Sequence, residues 1–490
     1  MRNKARELRD YQDAGFHQLL AALAEGKRPL YVLSGGGGKT RVAAEVIEQY
    51  RRAGKRVLIL VHHRELLEQM WNALVDDIGL DEASVGVIWG QDKKPRKNPD
   101  APIQIASIDT LLTRKRMKRP GWMPAADLLV LDEAHHAAAT KWQEVLCWYP
   151  EAKRLGLTAT PFRFDRLPLS VAFDTIVQGP SMEELFKHPE YPLTSPNLFV
   201  PAKDGVNLKG LRRSQVNGRD WYPAQLGVRM GKKAIVANVV EHLLRRATTK
   251  GLRAILYVPT LKNARKYVDA IKAAGEHRVA YLDASTPLAY REQLLKPDGL
   301  LDTGEVMIVV NCEVLTEGWD LPSVKCVAMA RPTDSPGLYL QMVARALRTW
   351  VKKGDILQTV PVILDFAGNV RRHDVPWADR AISLDDDGKA RGNRMPPTYW
   401  ICESCVDGLE CGAVNALGWT TCSVCGDRRP ESVREVEEQH GLSLRAAELP
   451  LTTEQREELV QKILALAKQR LRRDMPRAFA ERAVDAGLRL

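Results

Sequence analysis

The chain has 490 residues, 45% of them hydrophobic and 27% charged, a globular balance with room for two large domains and an appendage. Its formal net charge of +11 points to a polyanionic partner, nucleic acid before membrane. No uninterrupted apolar run approaches a membrane span, and the charged start Met1-Arg2-Asn3-Lys4-Ala5-Arg6 is not followed by an apolar signal segment, so a cytoplasmic protein without a membrane partner is expected.

The pattern opens with a helix from Leu8 to Leu23, closed by Gly26. Leu30 to Leu33 is an apolar run short enough for a buried strand. It leads into Ser34-Gly35-Gly36-Gly37-Gly38-Lys39-Thr40, and a helical pattern follows from Arg41 to Arg52. Arg56 to Val61, Ile103 to Ser107, Asp127 to Leu131 and Arg154 to Thr158 read as further strands, with a helix from Arg64 after the first of these. Strands alternating with helices give a parallel sheet covered on both faces. From Phe162 to Gly231 prolines and turn residues break the pattern, which reads as a connector with small elements of its own.

The alternation restarts at Lys233. Helices are expected over Lys233–Arg246, Leu261–Ala274 and Gly337–Thr349. Strands are expected over Ala254–Val258, Arg278–Leu282, Val306–Val310, Val324–Ala328 and Thr359–Leu364. No repeat of 20–50 residues is present, which excludes a solenoid. The domain reading is 1–161, connector 162–231, 232–370, linker 371–398, a cysteine module 399–430 and a helical tail 431–490, with an amphipathic basic helix from Glu454 to Arg473.

Two stretches carry phosphate chemistry. In the glycine run, successive backbone N–H groups can turn inward as one anion cradle with a helix N-terminus behind it. Lys39 can then reach terminal phosphates, and the Thr40 hydroxyl can take a position on Mg²⁺. One feature is off-pattern, because Leu33 stands where the general rule wants a glycine. The second stretch is Leu131-Asp132-Glu133-Ala134-His135. Asp132 is placed to hold Mg²⁺, and Glu133 to orient and deprotonate an attacking water.

The residues from Leu8 to Arg372 together resemble the superfamily 2 helicases and translocases, with the Asp-Glu-Ala-His form of motif II. Leu8-Arg9-Asp10-Tyr11-Gln12 resembles the adenine-reading motif, which implies base contacts from Arg9 and Gln12. Leu33 to Thr40 matches motif I, and in this family Leu33 is not an exception. His62-His63-Arg64-Glu65-Leu66 and Ala106-Ser107-Ile108-Asp109-Thr110-Leu111 resemble motifs Ia and Ib. Leu157-Thr158-Ala159-Thr160-Pro161 resembles motif III, and Leu256-Tyr257-Val258 stands where motif IV belongs. Glu313-Val314-Leu315-Thr316-Glu317-Gly318-Trp319-Asp320 resembles motif V. Gln341-Met342-Val343-Ala344-Arg345-Ala346-Leu347-Arg348 resembles motif VI, with Ala344 where the family has glycine.

The resemblance implies two tandem RecA-like P-loop domains with ATP and Mg²⁺ between them. Catalysis would fall to Lys39, Asp132, Glu133 and His135, with Arg345 and Arg348 as fingers from the second domain. Gly318 and Asp320 would help bind nucleotide. Arg64, Thr110 and Thr316 would grip nucleic-acid phosphates without reading sequence. Within the superfamily the chain is similar to RadD-type bacterial repair helicases and related phage helicases, and more distantly to the type III restriction subunit and the XPB-type group.

Five of the eight cysteines lie between Cys402 and Cys425. Cys402-x-x-Cys405 and Cys422-x-x-Cys425 have the spacing of a four-thiolate zinc ribbon, and Gly426 permits the turn after the second pair. A redox pair and an iron–sulfur cluster are the alternatives, and Cys411 is left over as a bystander or substitute ligand. The module could contact nucleic acid, dock a protein partner, as could the tail helix, or staple the C-terminal region. The expected function is ATP-driven translocation on, or unwinding of, DNA in repair, recombination or phage replication. The motor subunit of a restriction or defence complex and an RNA helicase are the alternatives.

Overall fold

The computed structural model describes residues 7–90, 96–117, 123–162, 167–190, 192–200, 206–213, 220–315, 321–352, 355–357, 359–385, 399–406 and 409–429, with 457, 460, 461, 464 and 465. Residues 1–429 form one compact unit and residues 430–490 a second. In the second unit the described positions Glu457, Val460, Gln461, Leu464 and Ala465 are helical, and the rest of the tail helix lies outside the described residues. Among the described residues no helix is long and apolar enough to cross a membrane.

The first lobe runs α1 (Asp10–Ala24), β1 (Pro29–Val32), α2 (Lys39–Arg52), β2 (Val57–Val61), α3 (Arg64–Asn72), β3 (Val85–Ile88), β4 (Ile103–Ser107), α4 (Ile108–Arg116), β5 (Leu128–Leu131), α5 (Thr140–Leu146), β6 (Lys153–Thr158) and β7 (Thr175–Gln178). Its seven strands lie in the order β3-β4-β2-β5-β6-β1-β7, and every pairing is parallel. Each residue of β2 and β5 is buried, as apolar runs with helices on both faces must be.

Two short helices, α6 (Met182–Lys187) and α7 (Pro223–Met230), flank β8 (Asn197–Phe199). The second lobe continues with α8 (Lys233–Arg246), β9 (Arg253–Tyr257), α9 (Leu261–Ala273), β10 (Val279–Leu282), α10 (Leu288–Leu295), α11 (Leu300–Thr303), β11 (Ile308–Asn311), β12 (Val324–Met329) and α12 (Pro336–Leu347). A hairpin of β13 (Trp350–Lys352) and β14 (Asp355–Leu357) follows, then β15 (Val362–Asp365) and α13 (Asn369–His373). The second sheet is also all parallel, in the order β10-β11-β9-β12-β15-β8. The cysteine module adds β16 (Tyr399–Ile401) paired with β19 (Val414–Ala416), and the hairpin β17 (Cys405–Val406) with β18 (Leu409–Glu410).

The structure departs from the sequence reading in four places. The span read as a connector supplies an edge strand to each sheet, β7 to the first and β8 to the second. β3 carries too short an apolar run to stand out, yet it closes the other edge of the first sheet. Helix α12 stops at Leu347, because Arg348 turns to extended backbone and bridges Leu193. The segment read as a linker is folded over residues 371–385. There the Arg380 guanidinium donates to the carbonyls of His373, Val375, Pro376 and Ala378, and Leu384 O accepts from the Leu169 N–H in the first lobe.

Packing between strands in the first lobe leaves no room for growth at Gly156. A Cβ there would lie 2.5 Å from Phe173 Cζ and 2.8 Å from Leu30 Cδ1. Gly156→Ala is expected to cost about 1–3 kcal/mol through overpacking, read as a lowered Tm in thermal unfolding. An unchanged Tm would show that Phe173 can move aside freely.

Candidate functional site

β1 delivers the glycine loop to the C-terminal edge of the first sheet. Gly36 (φ +87°) and Gly38 (φ +92°) take left-handed backbone that a side chain would strain. Gly38 is the N-cap of α2 and brings no capping side chain to the start of the helix, an end that suits an anion. Leu33 packs beneath the loop, its side chain filling the space next to Gly37 and Gly179, which accounts for an apolar residue at that position. Gln12 Nε2 and the Tyr11 hydroxyl donate to the Gly37 carbonyl at 3.0 and 2.8 Å. The backbone N–H of Arg9 donates to Gln12 Oε1, and the Arg9 guanidinium pairs with Glu190 at 2.7 Å. Lys39 begins α2, and Thr40 follows it.

β5 is the neighbour of β2 and β6, and its end carries the two acids. Asp132 is buried, and the Glu133 N–H donates to its Oδ1 at 2.9 Å. Burial pushes the Asp132 carboxyl up to about 6; Glu133 adds to the rise, while Lys39 and His62 oppose it. Glu133 itself sits at φ +49°, which turns its side chain off the strand direction. His135 Nδ1 lies 3.3 Å from Glu133 Oε2 and 3.3 Å from Thr158 Oγ1. Thr158 Oγ1 accepts from the Thr160 N–H, and Thr160 Oγ1 is 3.5 Å from Gln341 Nε2 in the second lobe. His136 continues the chain of rings, 4.6 Å from His62 between centroids.

α12 brings its arginines to the same loop. Ser335 caps its start, accepting from the Leu338 N–H at 2.9 Å. A Cβ on Gly35 would fall 3.0 Å from the Ala344 methyl, and one on Gly36 would fall 3.0 Å from Arg348 Cγ and 2.8 Å from Leu193. Lys39 is half-buried, and desolvation lowers its pKa; the carboxylates Glu133 and Asp132 raise it, and Arg348 and Arg345 lower it further. Burial also brings Arg348 down to about 10. The structure therefore gathers Arg9, Gln12, Gly35, Gly36, Gly37, Gly38, Lys39, Thr40, Asp132, Glu133, His135, Arg345 and Arg348 around one seam.

Arg64 and Thr110 stand apart from that seam, beyond the ends of the adjacent strands β2 and β4. Arg64 lies 3.8 Å from Glu68 and 3.9 Å from Glu292 of the second lobe. The Thr110 hydroxyl accepts from the Gly90 N–H at 3.2 Å. Thr316, Gly318 and Asp320 lie outside the described residues. Tyr11, His62, Thr158 and Gln341 were not singled out from sequence for these contacts. Their only signal is a place inside or beside a motif, and strand pairing supplies the rest.

In the cysteine module Cys411 stands among the clustered sulfurs. Cys402, Cys411, Cys422 and Cys425 bring their sulfurs within 4.8 Å of one another. Cys402 and Cys425 are 3.5 Å apart, and Cys411 and Cys422 are 3.8 Å apart. A tetrahedral ion with ~2.3 Å bonds to sulfur sets its ligands about 3.8 Å apart, so this donor set fits Zn²⁺. Cys411 joins because β17 and β18 fold back: its N–H donates to Ser404 O, and the Gly412 N–H donates to Cys402 O. The side chain of Cys405 lies outside the described residues. Burial would raise the Cys422 thiol, but N–H donors from Cys425 and Val424 bring it down to about 7, as suits a thiolate ligand. Gly426 takes φ +77° at the turn after the second pair.

The module is built onto the second lobe. The Val200 N–H donates to Gly412 O at 2.9 Å, and Phe199 bridges Ala413. The Arg246 guanidinium lies 3.9 Å over the Phe199 ring and donates to the Glu410 and Cys411 carbonyls.

Residues 5–163 match the family described as type III restriction enzyme, res subunit, and residues 235–349 match the helicase conserved C-terminal domain. The chain is 25% identical over 441 residues to a 51.5 kDa protein of Lactococcus phage (isolate 7-9), a match covering 88% of this chain and 84% of that one. It is 25% identical over 382 residues to the DNA 3'-5' translocase XPB2 of Sulfurisphaera tokodaii, covering 72% of this chain and 81% of the relative. Among solved structures, the ATP-dependent type ISP restriction-modification enzyme LlaBIII bound to DNA superposes with a TM-score of 0.52 at 18% identity. That likeness, one of fold, covers 74% of this chain and 28% of the larger one.

The raised Asp132 pKa has a consequence for stability. The folded protein holds this proton more tightly than the unfolded chain, so stability falls as pH rises from 3.8 through about 6. In magnesium-free buffer Asp132→Asn is therefore expected to raise the Tm near pH 7.5, with the gain gone by about pH 4. A lowered Tm near neutrality would show that Lys39 more than offsets the burial of this charge.

Proposed function

The chain belongs to the superfamily 2 helicases, nucleic-acid-dependent ATPases, and from that premise we propose that it couples ATP hydrolysis to movement along DNA, or to its unwinding. The observation that carries the reading is the approach of Arg345 and Arg348 from the second lobe to the loop that ends in Lys39. ATP and Mg²⁺ belong to this family's chemistry. Here the glycine-loop amides and Lys39 take the phosphates, and Arg9 and Gln12 take the base. Asp132 and Thr40 would hold the metal, which when bound would offset the charge of the phosphates. A carboxyl kept up by burial and a neighbouring acid is a fitting metal ligand, since a divalent cation relieves both effects.

Glu133 receives a proton from the attacking water, and His135 steadies it while linking it through Thr158 and Thr160 to Gln341. The arginines stabilise charge on the transferred group. Because they come from the other lobe, hydrolysis is tied to how closely the lobes meet, and lobe motion becomes a step when both grip a backbone. Arg64, Thr110 and Thr316 serve that grip. DNA is favoured over RNA because the match over residues 5–163 is to a restriction subunit family and XPB2 is by name a DNA translocase. The same restriction match supports a second reading, a motor subunit that works with a nuclease or methyltransferase. Co-purification with such a partner would decide for it.

Lys39→Ala, Glu133→Gln and Arg345→Ala are each expected to abolish DNA-stimulated ATPase with the fold intact by circular dichroism, the arginine change by about 10³–10⁵ in rate. Wild-type turnover in Glu133→Gln would discard the mechanism. Comparing stimulation by single-stranded DNA, duplex DNA and RNA tests the substrate, and stimulation by RNA alone would overturn the choice of DNA.

We further propose Zn²⁺ as the ion of Cys402, Cys411, Cys422 and Cys425. Metal analysis of purified protein is expected to show zinc lost in Cys411→Ser and Cys422→Ser and retained in Cys405→Ser. Loss in Cys405→Ser with retention in Cys411→Ser would restore the ligand set read from spacing alone.

A further inference from the structure

Lys325 is a buried cation that the chemistry above does not use. It lies near the start of β12 and is 1% exposed, among the largest fully buried side chains of the molecule. A lysine normally runs its stem along apolar surface and leaves its ammonium in water. Here burial pulls the ammonium down to about 8, and among the described residues no ion pair accompanies it.

The ladder between β12 and β9 slips at this residue. Val324 stands opposite Arg253 and Cys326 opposite Ala254, so Lys325 is the extra residue of a bulge. Bulges re-aim a side chain. What the re-aimed ammonium reaches is the backbone carbonyl of Arg348, to which it donates a hydrogen bond. The chain leaves β12 at Met329 and returns along α12, so Arg348 arrives beside the first residues of the strand. The last carbonyls of a helix lack partners within it and carry the negative end of its dipole, which a cation answers. The neighbouring backbone is held as well: the Thr194 N–H donates to Leu347 O at 2.7 Å, and Leu193 bridges Arg348. The Arg348 side chain meanwhile packs against Gly36 of the phosphate loop.

We propose that Lys325 is a positioning residue for ATP hydrolysis, fixing the end of α12 so that Arg348, and Arg345 one turn earlier, meet the phosphate loop along a set line. This rests on the reading of those arginines as fingers. A residue kept for packing alone would be apolar here, because replacing a buried charge by an isosteric hydrophobe is often neutral or stabilising. The bulge and the desolvated ammonium are stability given up for geometry at the finger.

The test compares Lys325→Met, Arg348→Ala and the double variant in steady-state ATPase with saturating poly(dT), alongside thermal unfolding. Lys325→Met is expected to lower kcat about ten- to a hundredfold, with KM for ATP within about twofold of wild type, as a misplaced catalytic group does. Its Tm should be unchanged or higher, and adding it to Arg348→Ala should cost nothing more. Wild-type kcat in Lys325→Met with Arg348→Ala inactive overturns the proposal and leaves the finger reading standing. Wild-type kcat in Arg348→Ala removes the finger reading and this proposal with it. A lowered Tm with kcat and KM disturbed together marks Lys325 as a core residue only and overturns the positioning role. Should Lys325→Met not fold, Lys325→Gln, which keeps an N–H donor on a shorter stem, is judged by the same kcat and KM criteria.

Discussion

Close approach over a loop without side chains is the constraint on which the rest of this structure depends. Ala344, Leu193 and Arg348 of the second lobe touch the loop at Gly35 and Gly36, where any Cβ would meet them at 3.0 Å or less. The same absence of side chains leaves the loop amides and the first turn of α2 open to an anion. One property of the loop therefore serves both the ligand and the lobe contact. It also accommodates Ala344, whose methyl faces Gly35.

The seam brings charges of both signs close together. Lys39, Asp132 and Glu133 come from the first lobe and Arg345 and Arg348 from the second, and burial penalises the charged forms of Lys39, Asp132 and Arg348. Buried groups of like sign raise or lower one another until something of opposite sign arrives. A phosphate chain with a divalent cation supplies both signs at once. The line from Glu133 through His135, Thr158 and Thr160 to Gln341 crosses between lobes, so the state of the acid and the closeness of the arginine helix are physically joined.

The cysteine module extends the second lobe. Trp400, Cys402, Cys411, Ala413 and Cys422 share a buried cluster with Phe199, Leu364 and the strands of the second sheet. Arg246 clamps the two together by stacking on Phe199 and binding the Glu410 and Cys411 carbonyls. The module joins the sheet at its edge strand β8, which is itself only three residues long.

The central strands of both sheets, the glycine cradle, the paired acids and the stretch that ends in Arg345 and Arg348 were legible from the chain alone. They are local signals: a buried parallel strand must be apolar throughout, and a phosphate loop must be free of side chains. What only the tertiary structure decided depends on residues far apart in sequence. Edge strands β3, β7 and β8 are short and take their pairing from neighbours already in place. Cys411 enters the sulfur cluster because a hairpin folds back, which spacing between Cys-x-x-Cys pairs does not encode. Lys325 looks like a break in an apolar strand until a bulge and a returning helix bring the Arg348 carbonyl to its ammonium. Side-chain identity sets what each group can do, but register and chain return set which groups meet.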